Sequence, residues 1–431
     1  MPLLGCIADD VTGATDLASM LVNQGMRTLQ VMDVPRPTDP VPDVDALVVA
    51  LKSRTVPPEQ AVSESLAALA WLFAADCTQF FFKYCSTFDS TEQGNIGPVA
   101  DALIAALGCE FALACPAFPT NGRTVYQGHL FVGSALLNES GMEHHPLTPM
   151  TDANLVRVLG RQSSGTVGLV PFAVVEQGAE AIRRLMAEHK EHGHRYAVVD
   201  AVTDRHLADI GEAAEAHRLI TGGSGVAIGL PENFRRNGSL PVHPNAAALP
   251  AIAGASAVLA GSCSRATLQQ VEVARAHMPV LELDPLATPD ADALTAQAVD
   301  WLKMLQGPGP VLIAASAPPP KVAALQERLG REAAGQLVEH TMAAIGRHLA
   351  QNGVRRLIVA GGETSGAVVA ALGLRRLRIG PAIDPGVPWT FAEADDAAIP
   401  SMLLALKSGN FGAADFFPRA FAMLDEEAVE S

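Results

Sequence analysis

An apolar run that stops in a short polar or glycine-rich loop, with a helix starting at once, recurs along this chain of 431 residues. Residues 3–8 run into Asp9-Asp10-Val11-Thr12-Gly13. Residues 258–260 run into Gly261-Ser262-Cys263-Ser264, and residues 357–360 into Gly361-Gly362-Glu363-Thr364-Ser365-Gly366. Strands alternating with helices imply a mostly parallel sheet with helices on both faces. Strands that end this way leave free N–H groups and positive helix ends at the C-terminal edge of the sheet, where open α/β folds bind anions. The first loop offers carboxylates, and the other two offer mainly backbone and hydroxyls. This asymmetry predicts two half-sites, one for chemistry on a substrate and one for holding phosphates.

Apolar runs at 28–32, 46–51, 79–84, 111–115, 167–170 and 197–199 carry the rhythm through the first half. An amphipathic stretch at 14–23 follows the first strand, with Gly25 as its C-terminal stop. From Pro231 to about residue 253 the pattern breaks into Asn237-Gly238, Pro241, Pro244 and Pro250, the composition of a linker. It restarts at 256–260, 311–315 and 357–360, and a last run at 402–406 enters Lys407-Ser408-Gly409-Asn410-Phe411-Gly412. The length exceeds one ordinary core. The expected fold class is α/β: two three-layer α/β/α domains with mostly parallel sheets and a cleft between them, spanning 1–240 and 255–431.

Apolar residues make up 49% and charged ones 18%, which excludes a disordered chain. A net charge of −16 argues against nucleic acid or an anionic membrane as partner. No apolar run approaches the roughly 20 residues of a membrane span, and the N-terminus lacks a basic-then-apolar leader. The six cysteines show no CxxC pair and no zinc spacing, so reduced thiols and a cytoplasmic location are expected. The cations beside the motifs are Lys52, Arg54, Lys83, Arg123, Arg265 and Lys407; they read either as anion holders or as ordinary surface charges.

Asp9-Asp10 ends the first strand. Such a pair can take a proton from a substrate hydroxyl or hold Mg²⁺, and it can equally cap a helix. Lys52-Ser53-Arg54-Thr55 suits a carboxylate ligand, since arginine can make two parallel hydrogen bonds to it; a solvated loop is the alternative. Lys83-Tyr84-Cys85-Ser86-Thr87-Phe88-Asp89-Ser90-Thr91 gathers a cation, hydroxyls and a carboxylate after one strand, more hydrogen-bonding groups than a turn needs. In Cys115-Pro116-Ala117-Phe118-Pro119-Thr120-Asn121-Gly122-Arg123 the prolines and Asn-Gly stiffen a turn that presents Arg123. His145-Pro146-Leu147-Thr148-Pro149-Met150 reads as a pinned loop over the site. In the second half, the loop from Gly361 to Gly366 is the phosphate candidate, with Thr364 and Ser365 as added donors ahead of a helix over 367–372. Residues 408–412 form a further flexible loop. Neither GxxxxGKS/T nor GxGxxG is present. On these residues alone the chain is a two-lobed α/β enzyme joining a small anion to a phosphate-bearing cofactor. An NAD-dependent hydroxy-acid dehydrogenase and a non-catalytic sugar-acid binding protein are the rivals.

The run Ile7-Ala8-Asp9-Asp10-Val11-Thr12-Gly13-Ala14-Thr15-Asp16 resembles the opening of the four-carbon acid sugar kinases. The likeness continues through 83–91, Gly94-Asn95-Ile96-Gly97, 116–124, Gly128-His129-Leu130, 145–150, 261–264, 361–366, Asp384-Pro385-Gly386-Val387 and 407–412. It spans about residue 3 to about residue 418, and departs at Val11, where Phe is frequent in the family. The variants at 83–91, 121–126 and 145–150 look most like the 3-oxo-tetronate kinase branch, with threonate or erythronate kinases as the nearest alternative. The resemblance implies ATP-dependent phosphorylation of the C4 hydroxyl of a four-carbon 3-oxo acid, an N-terminal substrate domain and a C-terminal nucleotide domain. It places Ser264, Gly361, Gly362, Glu363, Thr364, Ser365, Gly366 and Gly409 on ATP-contacting segments. Arg54, Lys83 and Arg123 are then expected to hold the substrate carboxylate and polar groups, with Thr12, Lys52, Ser86, Thr87, Asp89 and Asn121 beside them. Asp9 or Asp10 would orient or deprotonate the attacking hydroxyl, with Asp89 in reserve. Mg²⁺ is expected with the nucleotide, no residue being a clear ligand, and a homo-oligomer stays open.

Overall fold

The computed structural model describes residues 1–145, 147–305, 307, 309–394 and 399–430, and they divide into two compact units, Met1–Ala247 and Ala248–Ser431. In the N-terminal unit the strands are β1 (Leu4–Ala8), β2 (Thr28–Met32), β3 (Ala46–Ala50), β4 (Gln79–Lys83), β5 (Ala112–Cys115), β6 (Arg123–Tyr126), β7 (His129–Val132), β8 (Ala135–Leu136), β9 (Val167–Val170), β10 (Tyr196–Val199) and β11 (Leu219–Gly222). The main sheet of this unit has the order β2-β3-β1-β4-β11-β5-β10-β9, every pairing parallel. β6, β7 and β8 form a small antiparallel sheet of their own. β1 to β4 are buried along their whole length, as strands of a sheet covered on both faces are.

Strand order fixes where a ligand can go. After β1 the chain turns toward β2 and β3 on one side; after β4 it turns through the helix Ile96–Leu107 toward β5 on the other. The neighbouring C-terminal ends of β1 and β4 therefore flank the point where connections diverge, the usual crevice of open α/β sheets. Asp9 and Asp10 leave one end, and Lys83 closes the other.

The helix after β1 runs Val11–Asn23, three residues ahead of its expected start. It ends in paired bonds from Gly25 N to Val22 O (2.8 Å) and from Met26 N to Leu21 O (3.1 Å), with Gly25 at φ 84°. This left-handed stop matches the sequence expectation. Pro231 departs from expectation: it does not open a linker but sits in the first turn of the helix Leu230–Arg236, where its missing N–H costs nothing.

The C-terminal unit contains β12 (Ala255–Ala260), β13 (Val280–Glu282), β14 (Val311–Ala314), β15 (Val354–Ala360), β16 (Leu374–Asp384), β17 (Val387–Ala394) and β18 (Met402–Lys407). Its order is β13-β14-β12-β15-β18-β17-β16, parallel except where β17 runs against both neighbours. Trp389 of β17 is fully buried and donates its indole N–H to Ala420 O at 3.0 Å, fastening the helix Phe416–Glu430 through Phe416, Phe417 and Phe421. Among the described residues no helix is long and apolar enough to cross a membrane.

Replacing Gly25 by alanine should cost about 1 kcal/mol, the penalty of a side chain in the left-handed region. A lower urea midpoint with unchanged activity is the expected result.

Candidate active site

The end of β1 is tied to its neighbours through Asp9. Its N–H donates to Lys83 O at 3.1 Å, and its carbonyl accepts from Ser53 N (3.0 Å) and Arg54 N (3.2 Å). This draws the loop after β3 across the sheet edge. Asn95 holds the same loop from outside, its amide donating to Ser53 O at 2.7 Å and Val56 O at 2.9 Å. Arg54 then meets Asp9 with both prongs, Nε to Oδ2 at 2.9 Å and Nη2 to Oδ1 at 2.8 Å. Nη2 also reaches Asp10 Oδ1 at 2.6 Å, and Nη1 lies 3.7 Å from Asp89 Oδ2. Three carboxylates thus surround one guanidinium. Arg54 was expected to hold the substrate carboxylate; it instead spends Nε and Nη2 on the protein's own acids.

Asp10 also fulfils the capping alternative. Its Oδ2 accepts from Thr12 Oγ1 at 2.8 Å and Gly13 N at 3.2 Å at the head of the helix Val11–Asn23. Burial alone would raise its pKa, but Arg54, Lys83 and these two hydrogen bonds bring it down to about 2. Burial raises Asp9, against the pull of Arg54. A Cβ on Gly13 would lie 2.2 Å from Asp10 Oδ1 and 2.6 Å from Lys83 Nζ, so glycine is what lets these two groups approach the helix.

Lys83 is buried at 3% exposure, and no hydrogen bond or ion pair satisfies its ammonium among the described residues. Asn121 and Arg123 stand beyond β5, where the turn Pro119–Asn121 and Gly122 lead into β6. Arg123 donates through Nη1 to Asn121 O, while Arg123 Nε and Asn121 Nδ2 are buried without partners. The β6–β7 hairpin is anchored by Asp200, whose carboxylate accepts from Gln127 N (2.6 Å), Gly128 N (2.8 Å) and Phe172 N (2.8 Å).

The 85–89 turn is rigid. Thr87 Oγ1 donates to Asp89 Oδ1 at 2.7 Å, and Phe88, fully buried against Tyr84, is held at φ 62°. That conformation is strained for a bulky side chain and is retained only where packing enforces it. Ser86 is half-buried, and Lys52 is exposed, with no hydrogen bond or ion pair to it among the described residues. In the 145–150 loop, Thr148 bonds the His145 ring at 2.8 Å, while Pro146 lies outside the described residues.

Asp16 and Asn95 entered the sequence reading only inside quoted motifs, and Ser224 not at all. Asp16 carried a signal: Asp10, Gly13 and Asp16 recur every third residue from the cap along one face, and Asp16 is the only charged residue within the helix Val11–Asn23. Asn95 and Ser224 act through hydrogen bonds across 39 or more positions, and nothing local announces them.

In the C-terminal unit the three loops come together. Gly261 N and Ser262 N bond Ala360 O at 3.0 and 3.1 Å, and Gly361 N bonds Lys407 O at 2.8 Å. A Cβ on Gly261 would lie 2.1 Å from Thr364 Oγ1, and one on Gly409 would lie 2.3 Å from Ser262 Oγ. The glycine-rich loop is shorter than expected, because the helix begins at Gly362 rather than at 367. Thr364 and Ser365 are consequently buried, and Ser365 spends its hydroxyl on Val359 O. Gly362 and Glu363 are the exposed residues of that first turn, Gly366 is buried, and no side chain caps the helix start. Ser264 caps the helix Arg265–Ala274 and donates to Gly409 O at 2.6 Å.

Lys407, read as an ordinary surface charge or an anion holder, is neither. It is fully buried, and its Nζ donates to Ser408 O (3.0 Å), Gly409 O (3.0 Å), Phe411 O (3.1 Å) and Thr267 Oγ1 (3.2 Å). Burial lowers it to about 7. Gln270 adds bonds to Phe411 O, Gly412 O and Ala413 O, so the 408–412 loop is pinned rather than flexible.

Arg54→Met should destabilise the protein by about 3 kcal/mol, because it strands buried carboxylates without their cation. Arg54→Lys, which keeps charge but loses the fork, should fall between the two in urea midpoint.

A family model described as a sugar-binding N-terminal domain matches residues 4–230, and one described as a nucleotide-binding C-terminal domain matches residues 257–417. A Burkholderia multivorans protein named 3-oxo-tetronate kinase is 58% identical over 427 residues, covering 99% of this chain and 98% of that one. The Salmonella typhimurium protein of the same name is 45% identical, covering 97% and 98%. A solved structure from Salmonella typhimurium LT2 superposes with a TM-score of 0.85 at 45% identity, covering 97% of this chain and 99% of that one. One from Haemophilus influenzae gives 0.76 at 44% identity, covering 97% and 100%. Two domain models matched in order, and relatives spanning nearly its whole length, show that the chain belongs to the four-carbon acid sugar kinase family.

Proposed function

We propose that this protein is an ATP-dependent kinase that phosphorylates the C4 hydroxyl of a four-carbon 3-oxo sugar acid, 3-oxo-tetronate, to its 4-phosphate. The observation that carries the reading is a group of donors without partners among the described residues at one sheet edge: Nζ of the buried Lys83 side chain, and the buried atoms Arg123 Nε and Asn121 Nδ2. Unpaired buried donors are costly unless a ligand completes them. A short acid with a carboxylate and an oxo group supplies acceptors of that kind. The names of the relatives agree with this substrate.

Phosphoryl transfer asks a protein mainly for positioning and charge neutralisation. Lys83 and Arg123 bring positive charge to an anionic substrate inside a chain of net charge −16. Asn121 adds a neutral donor that fixes orientation. Asp9 and Asp10, locked by Arg54, form the acidic wall that orients the substrate hydroxyls, and Thr12, Thr87 and Asp89 brace that wall.

The C-terminal unit fits a triphosphate. Its loops meet so closely at Gly261 and Gly409 that a Cβ has no room, and the helix at Gly362 begins without a side-chain cap, leaving backbone N–H groups for phosphate oxygens. Gly361, Gly362, Glu363, Gly409 and Ser264 are the residues proposed to line it. ATP supplies the phosphoryl group when bound. Among the described residues no group of three or more His, Cys, Asp or Glu side chains is placed to hold a metal ion. Mg²⁺ is therefore proposed to come with the nucleotide, held by its phosphates.

Purified protein with Mg-ATP should release ADP when given 3-oxo-tetronate, and release it much more slowly with D-threonate or D-erythronate. Lys83→Met should lower kcat/KM for the acid by about 100-fold, chiefly through KM. ADP release with threonate alone would reassign the substrate, and none with any four-carbon acid would refute the kinase reading.

A further inference from the structure

Asp16 sits on the helix Val11–Asn23 at 5% exposure. Ser224, just beyond β11, donates its hydroxyl to Asp16 Oδ2, while Asp16 Oδ1 is buried with no hydrogen-bond partner. The other acids of this sheet edge are engaged. Asp9 gives both oxygens to Arg54. Asp10 gives Oδ2 to Thr12 and Gly13 and Oδ1 to Arg54. Asp89 accepts from Thr87 on Oδ1 and faces Arg54 with Oδ2. Of these four, only Asp16 keeps a carboxylate oxygen that no donor approaches.

The orphaned groups complement one another. Lys83 Nζ, Arg123 Nε and Asn121 Nδ2 lack acceptors among the described residues, whereas Asp16 Oδ1 lacks a donor. A hydroxy acid brings both, its carboxylate and oxo oxygens for the first three and a hydroxyl for the fourth. Resting on the kinase reading above, we propose that Asp16 is the proton acceptor for the hydroxyl that is phosphorylated. Asp16 Oδ1 takes the O–H proton as that oxygen bonds to the γ-phosphorus. The bond from phosphorus to the β,γ-bridging oxygen breaks at the same time, and ADP leaves with its electron pair.

The charged and polar groups facing Asp16 come from each packed element: Lys83 from β4, Arg123 from β6, Ser224 from the segment after β11, and Asp10 from the head of its own helix. Burial pushes the Asp16 carboxyl up to about 6, against Lys83 and the Ser224 hydrogen bond, with Asp10 adding to the rise and Arg123 opposing it. A base is most effective when its pKa lies near the working pH, which Asp10, held at about 2, cannot offer. The sign for stability follows. The folded value lies above that of an exposed aspartate, so protonated Asp16 favours the native state, and this contribution fades as pH rises from about 4 through about 6.

The test is kcat and KM from pH 5 to 9 for the full-length protein and its Asp16→Asn and Ser224→Ala variants, with Mg-ATP and 3-oxo-tetronate. Asparagine keeps an acceptor for Ser224 and removes a buried charge, so Asp16→Asn should melt no lower than wild type at pH 8. Its kcat should fall by about 100-fold or more, with KM for the acid little changed, and the loss of rate on acidification through about pH 6 should vanish. Ser224→Ala, deprived of a bond that lowers Asp16, should move that acidic limb to higher pH. Wild-type turnover in folded Asp16→Asn, or an acidic limb that Ser224→Ala leaves in place, overturns the assignment while the kinase reading stands. Wild-type protein that releases no ADP with any four-carbon acid overturns both.

Discussion

The N-terminal site depends on one guanidinium placed among carboxylates. Asp9, Asp10 and Asp89 converge on Arg54 at a sheet edge where water is largely excluded. Without a cation there, adjacent acids could not all remain ionised, and the loop after β3 would have no reason to cross β1. The backbone agrees with the side chains, since the Asp9 carbonyl holds Ser53 and Arg54 while Asn95 clamps the loop from its other side. Fixing Arg54 this way frees Lys83 and Arg123 to act outward, because the protein's own acids are already satisfied.

The two units solve anion handling with different materials. In the N-terminal unit long side chains carry full charges through a buried setting, so specificity rests on which donors lack partners. In the C-terminal unit the loops are built from backbone, glycine and short hydroxyls, and side chains such as Thr364 and Ser365 turn inward to hold the walls. The first arrangement suits a particular small acid. The second suits a phosphate chain, which is the same on every nucleotide.

Much of this was legible in the sequence. β1, β3 and β9 are apolar throughout and β4 has an apolar centre, and the ends of β1 and β4 at Ala8 and Lys83 lie where the composition changes abruptly. β11 escaped because Leu219-Ile220-Thr221-Gly222 is short and followed by more glycine, so it reads as a turn. The antiparallel pair β16–β17 escaped because Arg375, Arg376 and Arg378 interrupt the first strand, and Pro381, Pro385 and Pro388 punctuate the first strand, the turn and the second strand. The guanidinium of Arg378 lies over the Phe391 ring, 5.6 Å from its centroid, a pairing that charge patterning hides. In the site, residue types were visible but their allegiances were not. Arg54 and Lys83 look alike in sequence, and only distance tells that one is consumed internally and the other is not.

Lys407 illustrates how a buried charge can set mechanical character. Its ammonium occupies the hub of the 408–412 turn, with three main-chain carbonyls as spokes. Swinging that turn away would leave the buried Nζ without its three carbonyl acceptors. The segment carrying Gly409 is therefore a fixed rim, not a door, and any gating of the nucleotide must be borne by other parts of the chain.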